Sequence, residues 1–372
     1  MKKTSTSLFL LLILTLACST TAPSLDSAHP STTEAVSASE PSSALTEIDI
    51  PAGYGFKNTW FELYFTDPVN PLSSQKTGGI DQPLAEAIDS ARLSVDVAIY
   101  SLSLNSIRDA LLRAQDRGVQ VRMVMESENL DRSDPQRLLD ADISILGDRR
   151  EGLMHNKFVI IDGSEVWVGG MNYTDSGTYE DNNVMMRIRS VKMAENYAKE
   201  FEEMFTDDKF GDNVVAETPN PRVTVDGTPI DVYFSPDDGV QDVLVDILSE
   251  ARQSIYFMAF SFTADALGDV LRDRAEAGVT VAGVMDEDQV GSNQGTEFDP
   301  FRQAGLDVYR DANPGQMHHK IIIVDESIVI VGSYNFTNSA ETRNDENLLV
   351  IYNDEIAAKF MDEFRRIYGL AK

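Results

Sequence analysis

The chain has 372 residues, enough for one large domain or two medium ones with real cores. Asp and Glu number 61 against 31 Lys and Arg, a formal charge of -30, which repels polyanions at long range and counts against nucleic acid as the main partner. The single cysteine, Cys18, excludes an intramolecular disulfide.

Lys2 and Lys3 open the chain, and Leu8 to Leu16 form an apolar run of signal-peptide length, short for a transmembrane helix. Thr15-Leu16-Ala17-Cys18 resembles a bacterial lipobox, with Thr15 where Leu is usual. The resemblance implies that residues 1–18 are a signal peptide and that Cys18 becomes the lipidated first residue of the mature chain. Ser19 then favours the outer membrane. The expected location is the bacterial cell envelope, lipid-anchored at the periplasmic side of that membrane, with plain secretion as the alternative. Residues 19–55 are expected to be a disordered tether, because a Ser-, Thr-, Ala- and Pro-rich composition opens them without a helical or strand period. No later run is long and apolar enough to span a bilayer.

The remainder reads as a duplication. Ala91-Arg92-Leu93-Ser94-Val95 matches Ala251-Arg252-Gln253-Ser254-Ile255, and Met154-His155-Asn156-Lys157 matches Met317-His318-His319-Lys320. The first half, 56–210, predicts a strand at Phe61–Phe65, a helix at Pro83–Ala91 and an apolar strand at Ser94–Ser101. A second helix stops at Gly118, and strands follow at Val121–Met125 and Ile143–Leu146. A strand pair then surrounds the repeated motif, and a closing helix carries Phe201 and Phe205 as core. Residues 206–228 are expected as a junction, being rich in Pro, Gly, Asn and Asp. The second half, 222–372, repeats the order with strands at Asp231–Phe234, Ser254–Phe262, Val281–Met285 and Asp307–Arg310. Its helices are expected at Gln241–Ala251, before Gly278, and at the end, with Phe360 and Phe364 as core. Strands alternating with helices predict an α/β fold, two similar sandwich halves on mixed sheets.

The repeated motif carries the chemistry. It runs His155, Lys157, Asp162, Gly169, Gly170, Asn172 in one half and His318, Lys320, Asp325, Gly332, Ser333, Asn335 in the other. Residues two apart on a strand share a face, so His and Lys point one way and Asn156 or His319 the other. A neutral imidazole can attack phosphorus, and a protonated one can deliver a proton to the departing oxygen. Lys157, Lys320, Asn172, Asn335 and Ser333 are candidates to hold the phosphate oxygens where charge grows. Asp162 and Asp325 are expected to stabilise turns rather than to touch substrate. Gly169 and Gly332 are expected to be structural. A metal site is not expected, since protonated Lys is no ligand and no carboxylate stands at regular spacing beside the histidines.

Both segments resemble the HKD motifs of the phospholipase D superfamily, and the resemblance covers nearly all of the chain after the tether. It implies two halves related by a pseudo-twofold axis, with both motifs in one groove and no cofactor. It also implies His155 as nucleophile and His318 as general acid. Within Asn344-Asp345-Glu346-Asn347 it implies Glu346 as the glutamate that orients a histidine. The first copy departs from the second at Gly170, and Asn182 stands where Glu346 would align, after a one-residue gap. Those departures are expected to loosen phosphate binding in the first half or to reorient His155. The expected function is hydrolysis of phospholipid head-group phosphodiesters at a membrane surface, by a monomer with an internal pseudo-dimer. Two alternatives stand beside it. One is an envelope nuclease with a basic groove built from Arg149, Arg150, Arg310 and Arg343, and the other is a non-catalytic binding lipoprotein.

Overall fold

β-branched apolar runs alternate with amphipathic helices, and each run finds a place in one of two mixed sheets. The computed structural model describes residues 45–372, so Cys18, the expected signal peptide and the first part of the tether lie outside the described residues. The first half contains β1 (Thr46–Ile48), β2 (Gly53–Lys57), β3 (Phe61–Thr66), α1 (Asp81–Ser90), β4 (Ser94–Ile99), α2 (Asn105–Asp116) and β5 (Gln120–Met125). It continues with α3 (Ser133–Leu139), β6 (Ser144–Gly147), β7 (Lys157–Ile161), β8 (Glu165–Gly169), α4 (Asp175–Tyr179), β9 (Val184–Arg189) and α5 (Val191–Phe205). The second half contains β10 (Arg222–Val225), β11 (Thr228–Ser235), α6 (Val240–Ser249), β12 (Ser254–Ala259), α7 (Asp265–Glu276), β13 (Thr280–Met285) and α8 (Glu287–Ser292). Then come α9 (Phe298–Gln303), β14 (Asp307–Arg310), β15 (Lys320–Val324), β16 (Ile328–Gly332), α10 (Asn338–Thr342), β17 (Glu346–Tyr352) and α11 (Asp354–Ala371).

The sheet orders are β1-β2-β3-β9-β8-β7-β4-β5-β6 and β10-β11-β17-β16-β15-β12-β13-β14. In each, the motif strand runs antiparallel to the strand before it in space, which sets Ile99 opposite Lys157 and Ala259 opposite Lys320. The motif strands are buried throughout, so alternation divides their side chains between two cores. Val159 and Ile161 face α1 and α2, while Phe158 and Ile160 face α5. Ile322 and Val324 face α6 and α7, while Ile321 and Ile323 face α11. The core under α5 and α11 is continuous across both halves, joining Phe201 to Phe360 and Phe364. Phe205 is only half-buried, at the rim of that core.

The pseudo-twofold relation is visible in reciprocal contacts. Met154 bridges Asp345, and Met317 bridges Asn182. The His155 N–H donates to the Asp345 carbonyl at 3.0 Å, and the His318 N–H to the Asn182 carbonyl at 3.0 Å. Each motif therefore enters the sheet held by the other half.

Three expectations need correction. The tether does not reach residue 55, because β1 and β2 extend the first sheet. Ile50 and Ala52 are buried there, and the Tyr54 ring lies 5.3 Å from that of Phe65. These apolar residues outweigh the polar composition before them. The junction also contains β10, which folds back on β11 through a left-handed turn at Asp226 and Gly227 (φ 48° and 79°). Finally, β4 and β12 end at Ile99 and Ala259, earlier than expected. The next residues, Tyr100 and Phe260, leave the sheet and turn to the motif histidines.

Candidate active site

Lys157 opens β7 and Lys320 opens β15, and His155 and His318 lie two residues before those strands. All four are buried. Each lysine Nζ donates to the carbonyl of its own motif histidine, at 2.7 Å from Lys157 and 2.8 Å from Lys320. An aromatic ring lines each pair. The Tyr100 ring lies 5.4 Å from the His155 ring, and Phe260 lies 4.7 Å from His318. The same rings sit under the ammonium groups, 5.4 Å from Lys157 and 4.7 Å from Lys320.

The histidines are oriented from across the boundary. His155 Nδ1 donates to Glu346 Oε2 at 2.7 Å, and His318 Nδ1 donates to Asn183 Oδ1 at 2.9 Å. With Nδ1 occupied by its proton, each imidazole presents Nε2 as its free nitrogen. Burial lowers the His155 pKa to about 4, against the pull of Glu346, and Lys157 lowers it further. Burial lowers Lys157 to about 7. His318 and Lys320 are pushed well below their ordinary values, again by burial first. Lys320 acts on His155, while Lys157 and His155 act on His318, so the four groups share one electrostatic field. A site this crowded with suppressed cations favours an anion, whose arrival restores their charge.

The family described as "Cardiolipin synthase, PLD-like domain" matches residues 84–205 and 244–368, one stretch in each half. The chain belongs to the phospholipase D-like family. A mitochondrial cardiolipin hydrolase from Chlamydomonas reinhardtii is 34% identical over 128 residues, which cover 34% of this chain and 57% of that protein. A phospholipase D from Rickettsia bellii (strain RML369-C) is 29% identical over 156 residues, 40% of this chain and 77% of that protein. This chain spans about half the length of the cardiolipin hydrolases that it matches. The phosphatidylserine synthase of Haemophilus influenzae Rd KW20 shares the fold, with a TM-score of 0.61 over 83% of this chain and 87% of that one at 14% identity.

The remaining motif residues of this phospholipase D-like chain divide into two groups. Asn172 and Asn335 follow β8 and β16, and each has a buried Oδ1 without a hydrogen-bond partner. Tyr173, next to Asn172, donates to the Ser101 carbonyl, which places Asn172 beside the turn that carries Tyr100. An anion needs the amide Nδ2 donor rather than the Oδ1 acceptor, and neither Nδ2 makes a hydrogen bond among the described residues. Ser333 is fully buried, and its hydroxyl accepts the Asn347 N–H at 3.0 Å, which braces the strand that carries Glu346 and leaves the O–H proton free to donate. Gly169 and Gly332 stand against a neighbouring backbone, where a Cβ would lie 2.2 Å from the carbonyl oxygen of Val184 or Asn347. Asp162 and Asp325 lie at the far ends of β7 and β15 from the lysines. Asp162 Oδ1 accepts the N–H groups of Arg92 and Ser94, each at 3.1 Å, and of Leu93 at 2.7 Å. Asp325 does the same for Arg252, Gln253 and Ser254.

The alignment of Glu346 with Asn182 is wrong. At the single offset that superposes His155 on His318, Glu346 falls on Asn183 without a gap. The structure also reverses the consequence, because the substitution bears on His318 and leaves His155 with its carboxylate. At Gly170 a Cβ would meet nothing nearer than 3.4 Å, so the position would hold a serine like that of the second copy without a clash. Sequence reasoning also missed Tyr100 and Phe260, although they occupy matching places just after the repeated Ser94 and Ser254 strands.

Proposed function

We propose that this chain is a phosphodiesterase of the phospholipase D type, hydrolysing the head-group phosphodiester of a phospholipid through a phosphohistidine. One observation carries the reading. Two His–Lys pairs meet in one buried field, and each histidine is locked at Nδ1 so that Nε2 is free to react. Lys157, Lys320, Asn172 and Asn335 then hold the non-bridging oxygens as charge develops. One imidazole bonds to phosphorus while the other protonates the leaving oxygen. The second imidazole next takes a proton from water, which displaces the first.

The lipid substrate is supported by the names of the relatives, with a cardiolipin-type lipid foremost. It is also supported by the surface charge. Arg149 is paired with Asp208, Arg150 with Asp345, and Arg343 with Glu151 at 3.5 Å, while Arg310 lies over the Phe298 ring. Three of the four arginines nominated for a nucleic-acid groove are thus paired with carboxylates. The full chain should hydrolyse cardiolipin or phosphatidylglycerol vesicles with EDTA present, and cleave single-stranded DNA much more slowly. DNA cleavage alone would overturn the lipid assignment.

The reading places the enzyme on the envelope through Cys18, by its lipobox resemblance. Among the described residues, no helix is long and apolar enough to cross a membrane. Labelled palmitate should enter the wild-type chain in bacteria and be lost in Cys18→Ser. Equal labelling of the variant would remove the anchor and leave secretion.

A further inference from the structure

The two imidazoles are held by different chemistry. His155 meets the carboxylate of Glu346, whereas His318 meets the amide of Asn183. The orientation of that amide is fixed by its other end, where Asn183 Nδ2 donates to the Gly177 carbonyl at 2.7 Å. The backbone of Asn183 is pinned as well. Its N–H donates to Thr66 Oγ1 at 2.7 Å, and its carbonyl accepts the Thr66 N–H at 3.1 Å. Asn183 is fully buried. It is therefore a rigid, neutral acceptor aimed at one ring nitrogen.

We propose that Asn183 is a positioning residue that confines His318 to proton transfer and leaves the bond to phosphorus to His155. The inference rests on the phosphodiesterase reading above, with the two roles that the family resemblance implies, and names the residue that holds His318 to its role. In the first step the His155 Nε2–phosphorus bond forms and the bond to the leaving oxygen breaks. That oxygen takes the Nε2 proton of His318. In the second step His318 Nε2 takes a proton from water, the water oxygen bonds to phosphorus, and the nitrogen–phosphorus bond breaks.

The two rings carry charge at different times. A phosphorylated imidazole that keeps its Nδ1 proton is cationic for the whole life of the intermediate. His155 has Glu346 beside it to offset that charge. His318 is cationic only before the leaving group departs and after water has been activated. A neutral partner stabilises its cation less, which makes it the stronger acid. Its surroundings act in the same direction. Lys320 of its own motif, Lys157 and His155 from the other half, and His319 next in sequence all disfavour its charge. The Phe260 ring covers it, and the only side chain that hydrogen-bonds to it among the described residues is Asn183. Asp181 and Asp286 act on Lys320 of the same motif. A covalent intermediate on His318 would leave a lasting cation with no carboxylate to meet it.

The test uses the full chain, a phospholipid labelled in the retained phosphate, and acid quenching. In wild type the label should map to His155 alone. In Asn183→Leu, which frees the imidazole tautomer, kcat should fall roughly ten- to a hundredfold with KM little changed. In Asn183→Asp, the basic limb of the pH–rate profile should move up by about a unit or more. Adding His155→Ala to Asn183→Asp should produce label on His318, which His155→Ala alone does not. Nitrogen-15 shifts of His318 report its tautomer without turnover, and should show Nδ1–H in wild type and a mixture in Asn183→Leu. Label on His318 in wild type, or an unmoved basic limb and tautomer in the variants, would overturn the inference. Turnover without any labelled histidine would instead overturn the phosphohistidine reading on which it rests, as would the absence of turnover on every phosphodiester.

Discussion

His155→Ala and His318→Ala should each lower kcat on phospholipid vesicles by more than about a hundredfold. The double variant should lose little beyond the worse single one, because the two imidazoles act as one unit and either loss stops the cycle. The pH dependence follows from the same pair. His155 must be neutral, so activity falls on the acid side as it protonates, and burial has moved that event down to about 4. His318 must be protonated, so activity falls on the alkaline side as it loses its proton. Burial and the nearby lysines have moved that pKa well below the usual imidazole value. The profile of kcat/KM, which reports the free enzyme, should therefore be bell-shaped with an acidic optimum. The profile of kcat should have its alkaline limb at higher pH, because the negative charge of the bound phosphodiester favours the His318 cation. A single rising limb in both profiles would argue against paired roles, and activity surviving both substitutions would remove the histidines from the mechanism.

Much of this site is legible in the sequence because repetition and strand spacing constrain it twice. The two-residue spacing of His and Lys puts them on one face of a buried strand and excludes His319. In the structure His319 lies on the opposite face, with Nε2 2.9 Å from Glu363 of α11. The strands Lys320–Val324 and Asp307–Arg310 begin and end where their apolar periods do. What the sequence leaves open is long-range pairing. Glu346 is recognisable as an orienting group, but only the reciprocal contacts between halves show that it serves the histidine of the other half. Asn183 is hidden for a different reason. An asparagine in a run of Asp181-Asn182-Asn183 reads as a turn, and its role appears only when the constant offset and the buried ring are seen together. Tyr100 and Phe260 continue apolar strands without a break in pattern. Their departure from the sheet is set by tertiary contact rather than by propensity.

Asp162→Ala and Asp325→Ala should each lower the unfolding free energy by about 2–4 kcal/mol, with little effect on kcat per folded molecule. The aspartate of each motif lies beyond the end of the strand opposite to the lysine, where it gathers three successive backbone N–H groups of the loop that leads into β4 or β12. Both residues also adopt left-handed backbone geometry, with φ of 52° at Asp162 and 50° at Asp325. Alanine loses the acceptor and strains the turn, whereas asparagine keeps one oxygen and tolerates that geometry. Asp→Asn should therefore cost only about 1 kcal/mol. Urea unfolding followed by circular dichroism measures both. The pH dependence adds a second reading at Asp325. Burial there raises the carboxyl pKa, but the donated backbone N–H groups outweigh it, and the net shift is downward. A group depressed on folding contributes stability above its unfolded pKa of about 3.9 and loses it as pH falls through the lower folded value. The gap between wild type and Asp325→Ala should accordingly be full at neutral pH and narrow in strong acid. If instead either alanine variant keeps its stability and loses activity a hundredfold, the aspartate belongs to the chemistry, and the motif holds phosphate with a third residue type that its position in the fold does not suggest.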